Sequence, residues 1–470
     1  MRISLIRGNE RPDPHTPIRE ANVTGIYPPL GLAYLAGSLL RAGHEVRIID
    51  AHALNLSPAQ VAAIVVERRD ELAGVTSTSL NWLRTIRIIR ALRAAAPAIR
   101  IVAGGPHLAL FAGASMAIGE LDAAICCEGE EALPELVEVY AGGGEPRAVA
   151  GVVYRNADGE VVENPPRPPI TDLDATGFPV YELLPVTRYR ALTIQRPFYT
   201  MITSRGCPHR CGFCSQIYAG GAFRQRSPGD VVEEMAFYVE HRGAREIILF
   251  DETFTIGERR VLEICELIRQ RGLRFRWNIR ARADTITAPL ARALKAAGCY
   301  SIHVGIESGA DEILRRMRKD ISLAQAEQAL AISREAGLET RGYFMLGYPG
   351  ETIATMAATI ACSLRLPLDW ASFSITVPQP ATEIMADAVR TGLMPGDYWL
   401  RYAAGDPPGP LPYFTTHEYD ESALERLLYS AYRRFYGRPS TIARIVTSGR
   451  LLRTLPELAG TLRYLVRSRR

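Results

Sequence analysis

The sequence predicts an α/β protein in two consecutive parts, followed by a mostly helical C-terminal region. Three observations carry this prediction. Short apolar strands alternate with helical segments over residues 1–145, as in a doubly wound, Rossmann-like parallel sheet with helices on both faces. The alternation resumes over 195–385 and yields six βα units, which suit a partial TIM-type barrel. Three cysteines, Cys207, Cys211 and Cys214, fall in one loop after the first strand of that second series, where such barrels carry their chemistry.

In the first part, strands are expected at 2–6, 45–50, 72–76, 100–103 and 123–126, with helices near 30–41, 58–69, 83–95 and 130–140. Ligands of such sheets bind beyond the carboxyl ends of the strands. Thr76-Ser77-Thr78, Gly104-Gly105-Pro106 and Glu128-Gly129-Glu130 stand at those ends, where glycine admits a close approach to the backbone. Simple turn formation accounts for the glycines equally well. Residues 146–194 read as a hairpin turning at Ala157-Asp158-Gly159, then an extended linker with Pro165, Pro166, Pro168 and Pro169. In the second part, strands are expected at 199–203, 246–250, 275–279, 301–305, 340–346 and 371–376. Beyond 385 the alternation stops, and residues 386–470 read as a helical region ending in a basic tail.

Of 470 residues, 47% are hydrophobic, enough for sizeable cores, and the formal net charge is only +4. That balance argues against a nucleic-acid binder driven by overall electrostatics. Five further cysteines, Cys126, Cys127, Cys265, Cys299 and Cys362, sit in apolar runs, where a free thiol packs as a small hydrophobe. The pattern is no secreted disulfide framework. No signal-peptide pattern or membrane-length apolar run is present. The expectation is a soluble cytoplasmic protein that works shielded from oxygen.

The run Cys207-Pro208-His209-Arg210-Cys211-Gly212-Phe213-Cys214 sets three thiolates in one tight loop. Such a set can hold three irons of a [4Fe–4S] cluster and leave the fourth iron open. A structural zinc site with His209 as fourth ligand is the alternative. Zinc ligands usually come as two separated pairs, and no second pair follows. A chance cluster of buried thiols fits poorly with the intervening Pro, His, Arg and Gly.

This spacing, with Phe213 just before the last cysteine, resembles the radical S-adenosylmethionine (SAM) superfamily over roughly residues 195–385. The resemblance implies that the open iron chelates SAM and that one electron then releases a 5′-deoxyadenosyl radical. Phe213 would contact the adenine. Asp251, in Phe250-Asp251-Glu252-Thr253-Phe254, looks like the acidic strand-end motif of the cobalamin-dependent branch. Glu307, in His303-Val304-Gly305-Ile306-Glu307, resembles the fourth-strand acid that positions SAM. A buried acid there needs a charged partner, which an ammonium group supplies. Gly347, in Gly347-Tyr348-Pro349-Gly350-Glu351, resembles the late-strand turn near the adenine. Arg280 and Arg282 could meet the SAM carboxylate or form ordinary salt bridges.

The first part resembles the cobalamin-binding domain that precedes many such barrels. Pro28-Pro29-Leu30-Gly31, Gly104-Gly105-Pro106-His107 and Glu128-Gly129-Glu130-Glu131 carry the likeness. It implies that the nucleotide tail of cobalamin enters the sheet crevice past Gly104 and Gly105, facing Thr76 and Thr78. His107, Glu128 and Gly129 would belong to the same site. Other cobalamin domains place a histidine under cobalt with Asp-x-His-x-x-Gly. Here Asp13-Pro14-His15 lacks the glycine, and Asp50-Ala51-His52 follows the wrong strand.

Taken together, the resemblances imply a C-methyltransferase acting on an unactivated carbon of a small-molecule or lipid-like substrate. The route would run through a 5′-deoxyadenosyl radical and methylcobalamin, with flavodoxin or ferredoxin as electron donor. An anaerobic ring-forming oxidoreductase or cyclase uses the same two domains. A catalytically idle cobalamin or iron–sulfur sensor is the alternative from another class. Arg444, Arg450, Arg453, Arg463 and Arg467 alternate with apolar residues, the pattern of an interfacial helix on anionic lipid or of a packed terminal helix. Trp399, Tyr402, Tyr413 and Phe414 stand where either a cover over the substrate or ordinary core is expected.

Overall fold

The computed structural model describes residues 1–10, 25–191, 194–215 and 222–447. Asp13, His15 and the tail arginines Arg450, Arg453, Arg463 and Arg467 lie outside the described residues, as does the side chain of Arg444. The first sheet contains β1 (Arg2–Arg7), β2 (Glu45–Asp50), β3 (Leu72–Thr76), β4 (Arg100–Gly104), β5 (Ala123–Ile125), β6 (Val152–Arg155) and β7 (Val161–Glu163). Its order is β2-β1-β3-β4-β5-β6-β7. The first five strands are parallel, and the order reverses between β1 and β3, which opens a crevice at the strand ends.

The hairpin expected in the linker instead extends this sheet. β6 pairs antiparallel with β5, with Ala123 opposite Tyr154, and β7 pairs with β6. Val152, Val153 and Tyr154 are buried, so β5 is covered and does not present a free edge. The Leu108–Ser115 helix was also outside the expected elements. Its sequence, LALFAGAS, is nearly apolar all round and shows no polar stripe. It lies between the sheet and the Tyr398–Ala403 helix. Trp399 and Tyr402 are fully buried there, and Trp82 Nε1 donates to the Ala403 carbonyl at 2.8 Å, so these C-terminal aromatics are core.

The second part holds β8 (Phe198–Met201), a short antiparallel pair β9 (Ser204–Arg205) and β10 (Arg224–Gln225), then β11 (Glu246–Leu249), β12 (Arg276–Ala281), β13 (Cys299–Glu307), β14 (Glu339–Leu346) and β15 (Trp370–Ile375). The six long strands are parallel and follow chain order from β8 to β15. This sheet does not close on itself, so β8 and β15 each present an edge. A tyrosine hydroxyl occupies each edge. Tyr181 Oη accepts from Thr200 N–H at 2.9 Å and donates to the Thr200 carbonyl at 2.7 Å. On β15, Tyr432 Oη accepts from Phe373 N–H at 3.1 Å and donates to the Phe373 carbonyl at 2.9 Å. Tyr436 treats Ala371 in the same way. Among the described residues no helix is long and apolar enough to cross a membrane.

Each capping phenol satisfies a donor and an acceptor that would otherwise be stranded. Tyr181→Phe and Tyr432→Phe are each expected to lower stability by about 1–3 kcal/mol. A melting temperature unchanged in both variants would show that water satisfies these edges equally well.

Candidate cofactor site at the facing strand ends

The cysteine loop leaves the end of β8 under the control of Asp251. The Thr203 N–H and hydroxyl donate to this buried carboxylate, and the Ser204 hydroxyl donates at 2.8 Å. Both Asp251 oxygens are therefore engaged within the protein. The residue supports the turn into Cys207 and does not present a free carboxylate to a cofactor. Further along, Gly212 N–H donates to the Met317 carbonyl at 2.9 Å, and the Gly212 carbonyl accepts from Glu383 N–H at 3.0 Å. A Cβ on Gly212 would sit 3.0 Å from Glu383 Oε2 and 3.1 Å from Tyr348 Oη, so glycine lets the loop lie flat here.

Cys207 and Cys211 are half-buried and Cys214 is exposed. Among the described residues no three Cys, His, Asp or Glu side chains converge on a single-ion site. A four-iron cluster makes a different demand, one thiolate on each of three irons. Two cations stand beside the loop. Arg282 Nη1 lies 3.9 Å from Cys211 Sγ, and its guanidinium also meets Asp284 and the Lys319 carbonyl. Burial pushes the Cys211 thiol up, while Lys319 and Arg282 oppose that rise. Cationic neighbours suit a thiolate-bound cluster, whose ligands must be deprotonated.

Glu307 is buried and pairs with Lys319 at 2.9 Å. Burial lowers the Lys319 pKa, but the Glu307 charge prevails and the net shift is upward. Lys319 Nζ also lies 5.7 Å from the centre of the half-buried Phe213 ring. Glu307 has φ of +69° at a register shift in β13, a conformation that costs a non-glycine residue roughly 1–3 kcal/mol. Gly305 makes room for the pair, since a Cβ there would run into Glu307 Oε1 and stand 2.8 Å from Lys319 Nζ. The cation expected from a ligand's ammonium group is thus Lys319 itself in this state. Arg280 goes elsewhere: its guanidinium lies over Phe250, 4.6 Å from the ring centre. Arg282, not Arg280, reaches the cysteine loop. Gly347, at φ +75°, packs its turn against Leu424. Within that turn burial pushes Glu351 up to about 7.

At the end of the first sheet, Gly105 has φ of +98°, and a Cβ there would stand 2.6 Å from Thr76 Oγ1 and 2.8 Å from the Ser77 carbonyl. Only glycine fits, and Thr76 faces it. Thr78 is exposed and accepts from Asn81 Nδ2 at 3.2 Å. Gly129 opens the Gly129–Ala141 helix, where a Cβ would stand 3.0 Å from Leu35. His107 is not a crevice residue. It is fully buried, stacks on Trp82 at 4.6 Å, and burial pulls its pKa down to about 3. His52, also buried, accepts from Glu10 N–H at 3.2 Å. At Gly104 a Cβ would meet nothing nearer than Ile125 at 4.0 Å, so the backbone of that strand end is open to close approach by a cofactor's tail.

Glu128 departs most from expectation. Its oxygens accept from Arg205 at 3.1 Å, from Arg224 at 2.8 and 2.9 Å, and from Ile170 N–H at 2.8 Å. Burial pushes this carboxyl up, but Arg224 and Arg205 prevail and hold it below its ordinary value. Glu130 accepts from Arg205 as well, at 2.5 Å. Arg205 ends β9, two residues before Cys207, and Arg224 opens β10. Glu128 therefore clamps the first sheet to the hairpin that carries the cysteine loop. Sequence reasoning missed Arg205, Arg224 and Lys319. Lys319 did leave a signal, because the 470 residues contain only two lysines, Lys295 and Lys319.

The fold and this site define a radical enzyme with two cofactor-binding parts meeting at their strand ends. The model of the Radical SAM superfamily matches residues 201–362, and that of the B12 binding domain matches residues 18–137. The chain is 34% identical over 426 residues to the uncharacterized methyltransferase PH0819 of Pyrococcus horikoshii, covering 90% of each protein. It is 28% identical over 374 residues to the anaerobic magnesium-protoporphyrin IX monomethyl ester cyclase of Rubrivivax gelatinosus, covering 78% of this chain and 67% of the cyclase. The structure of the radical SAM methyltransferase TsrM from Kitasatospora setae superposes with a TM-score of 0.65 at 20% identity, over 83% of this chain and 78% of that one. The chain belongs to the cobalamin-dependent branch of the radical SAM superfamily, and its cofactors are SAM, a [4Fe–4S] cluster and cobalamin.

Lys319→Met leaves the Glu307 carboxylate buried without its cation, an expected loss of roughly 3–5 kcal/mol. Adding Glu307→Gln should restore part of the lost melting temperature. If Lys319→Met melts like the wild type, the pair contributes nothing at this site.

Proposed function

We propose that this chain transfers a methyl group from SAM to a carbon atom of a small-molecule substrate. The observation that carries the reading is the clamp at Glu128, which ties the end of the first sheet to the hairpin that carries the cysteine loop. Cys207, Cys211 and Cys214 would hold the cluster, with Phe213 beside the adenine of SAM. The ammonium and carboxylate of SAM form an opposite pair to Glu307 and Lys319 and would meet them there. Gly104, Gly105 and Thr76 would line the path of the cobalamin tail. When bound, the cluster and SAM supply a hydrogen-abstracting radical and cobalamin supplies the methyl group. The protein's own work is orientation and exclusion. The Gly212 backbone bonds fix the loop, Asp251 fixes its entry, and the buried core keeps water and stray hydrogen donors away. A small one-electron donor such as flavodoxin or ferredoxin would deliver the electron.

The high similarity to a protein named a methyltransferase supports methyl transfer. The similarity to a ring-forming cyclase supports a second reading, radical oxidation without methylation. Reducing the reconstituted protein in the presence of SAM separates the two. Methyl transfer predicts S-adenosylhomocysteine in addition to 5′-deoxyadenosine, with the latter abolished by Cys211→Ala. Formation of 5′-deoxyadenosine alone would reject methyl transfer and favour the cyclase-type reaction.

A further inference from the structure

Inside the open barrel lies a small cavity of about 70 Å³, room for one small polyatomic anion, that the residues placed at the cysteine loop do not line. One rung of its wall is unusual. Arg280 on β12 is directly opposite His303 on β13, and His303 is directly opposite Arg341 on β14. All three side chains line the cavity. Adjacent strands lie about 4.8 Å apart, so the backbones of the two arginines stand about 10 Å apart on a shared face and both side chains reach the same cavity. Cations placed this way repel each other unless an anion joins them.

No protein group plays that part among the described residues. Arg280 contacts the face of Phe250, and Arg341 contacts the face of Trp370 at 5.8 Å. Neither guanidinium is in an ion pair with a described carboxylate, and Arg341 Nε is buried without a hydrogen-bond partner. The two acids nearest this face lie one rung or more below and are otherwise engaged. Glu246 accepts from Tyr300 Oη at 2.6 Å and from Gln195 N–H at 3.0 Å, and Glu339 accepts from Trp370 Nε1 at 3.3 Å. Between the arginines, His303 hydrogen-bonds Tyr343 Oη at 3.0 Å, and burial together with both arginines keeps the imidazole neutral. The rung thus offers two fixed positive forks, a neutral imidazole and a phenol.

Its height in the barrel gives it a use. Arg282, which touches the cysteine loop, is two residues beyond Arg280 on the same chain segment, a rise of about 7 Å. An anion seated on the rung would therefore lie one layer beneath the reacting centre. Resting on the reading of the chain as a small-molecule methyltransferase, we infer that Arg280, Arg341, His303 and Tyr343 form a subsite for an oxyanion of the substrate, a carboxylate or a phosphoryl group. Paired guanidinium groups recognise either by charge-assisted, bidentate hydrogen bonds.

Calorimetric titration of the reconstituted full-length protein with inorganic phosphate, and separately with malonate, tests this without turnover. The wild type should bind at one site, and the tighter of the two probes identifies the oxyanion. Arg341→Gln should weaken binding about tenfold and Arg341→Lys much less, as expected for loss of a charged hydrogen bond. Tyr343→Phe, which preserves packing, should weaken it about threefold and guards against a folding defect in the arginine variant. Saturating SAM should leave the titration unchanged. Absence of saturable binding, equal binding by Arg341→Gln and Tyr343→Phe, or displacement by SAM would each overturn the subsite. Because the titration needs no S-adenosylhomocysteine formation, it can fail while methyl transfer stands, and the reverse.

Discussion

The geometry of this protein depends on one buried carboxylate. Glu128 leaves the end of the first sheet and is gripped by Arg205 and Arg224, the flanking residues of the hairpin that carries the cysteine loop. A buried carboxylate cannot be left without its cations except at a cost of several kcal/mol, so the clamp fixes separation as well as contact. The consequence is chemical. Two sets of parallel strands turn their carboxyl ends toward each other, and each such end is where its type of sheet binds ligands. Radical and methyl chemistry require reactive groups to meet across a dry cavity, and the clamp joins the two strand ends on which our proposal seats them.

Around that contact, charge is distributed by height. At the level of the cysteine loop stand Arg282 and Lys319, with Glu307 balancing the lysine. One layer beneath stands the rung of Arg280, His303 and Arg341, with no acid among the described residues in the same layer. The strained backbone of Glu307 and the absent side chain at Gly305 belong to the upper layer, where the fold gives up local stability to seat a buried ion pair. The tyrosines at both open edges of the barrel compensate elsewhere, by satisfying backbone groups that an unclosed sheet leaves stranded.

Periodicity made the two sheets legible. Strand period and helix period are local properties, and the expected strands differ from the observed ones by only a few residues at their ends. The cysteine loop was legible because its chemistry lies in a short spacing. What lay hidden depends on pairing between distant segments. The hairpin joined the sheet through β5, more than twenty residues upstream, and no local pattern specifies that partner. Arg280 and Arg282 look alike in sequence, but Arg280 lies within β12 opposite His303, whereas Arg282 lies just beyond the strand and reaches Cys211 and the Lys319 carbonyl. His107 follows a glycine pair and reads as a crevice residue, yet Trp82 and Tyr402 bury it in core. Glu128 reads as a cofactor acid until its arginines, 77 and 96 residues away, come into view.

In our proposal, cobalamin and the iron–sulfur cluster occupy facing strand ends held together by Glu128. Electron paramagnetic resonance of the reduced, fully loaded protein tests it directly, because two nearby paramagnetic centres broaden each other's signals. A cobalt signal broadened by the reduced cluster in the wild type, and sharpened in Glu128→Gln at equal cofactor content, is the predicted result. Sharp, independent signals from a wild-type protein carrying both cofactors would contradict the account.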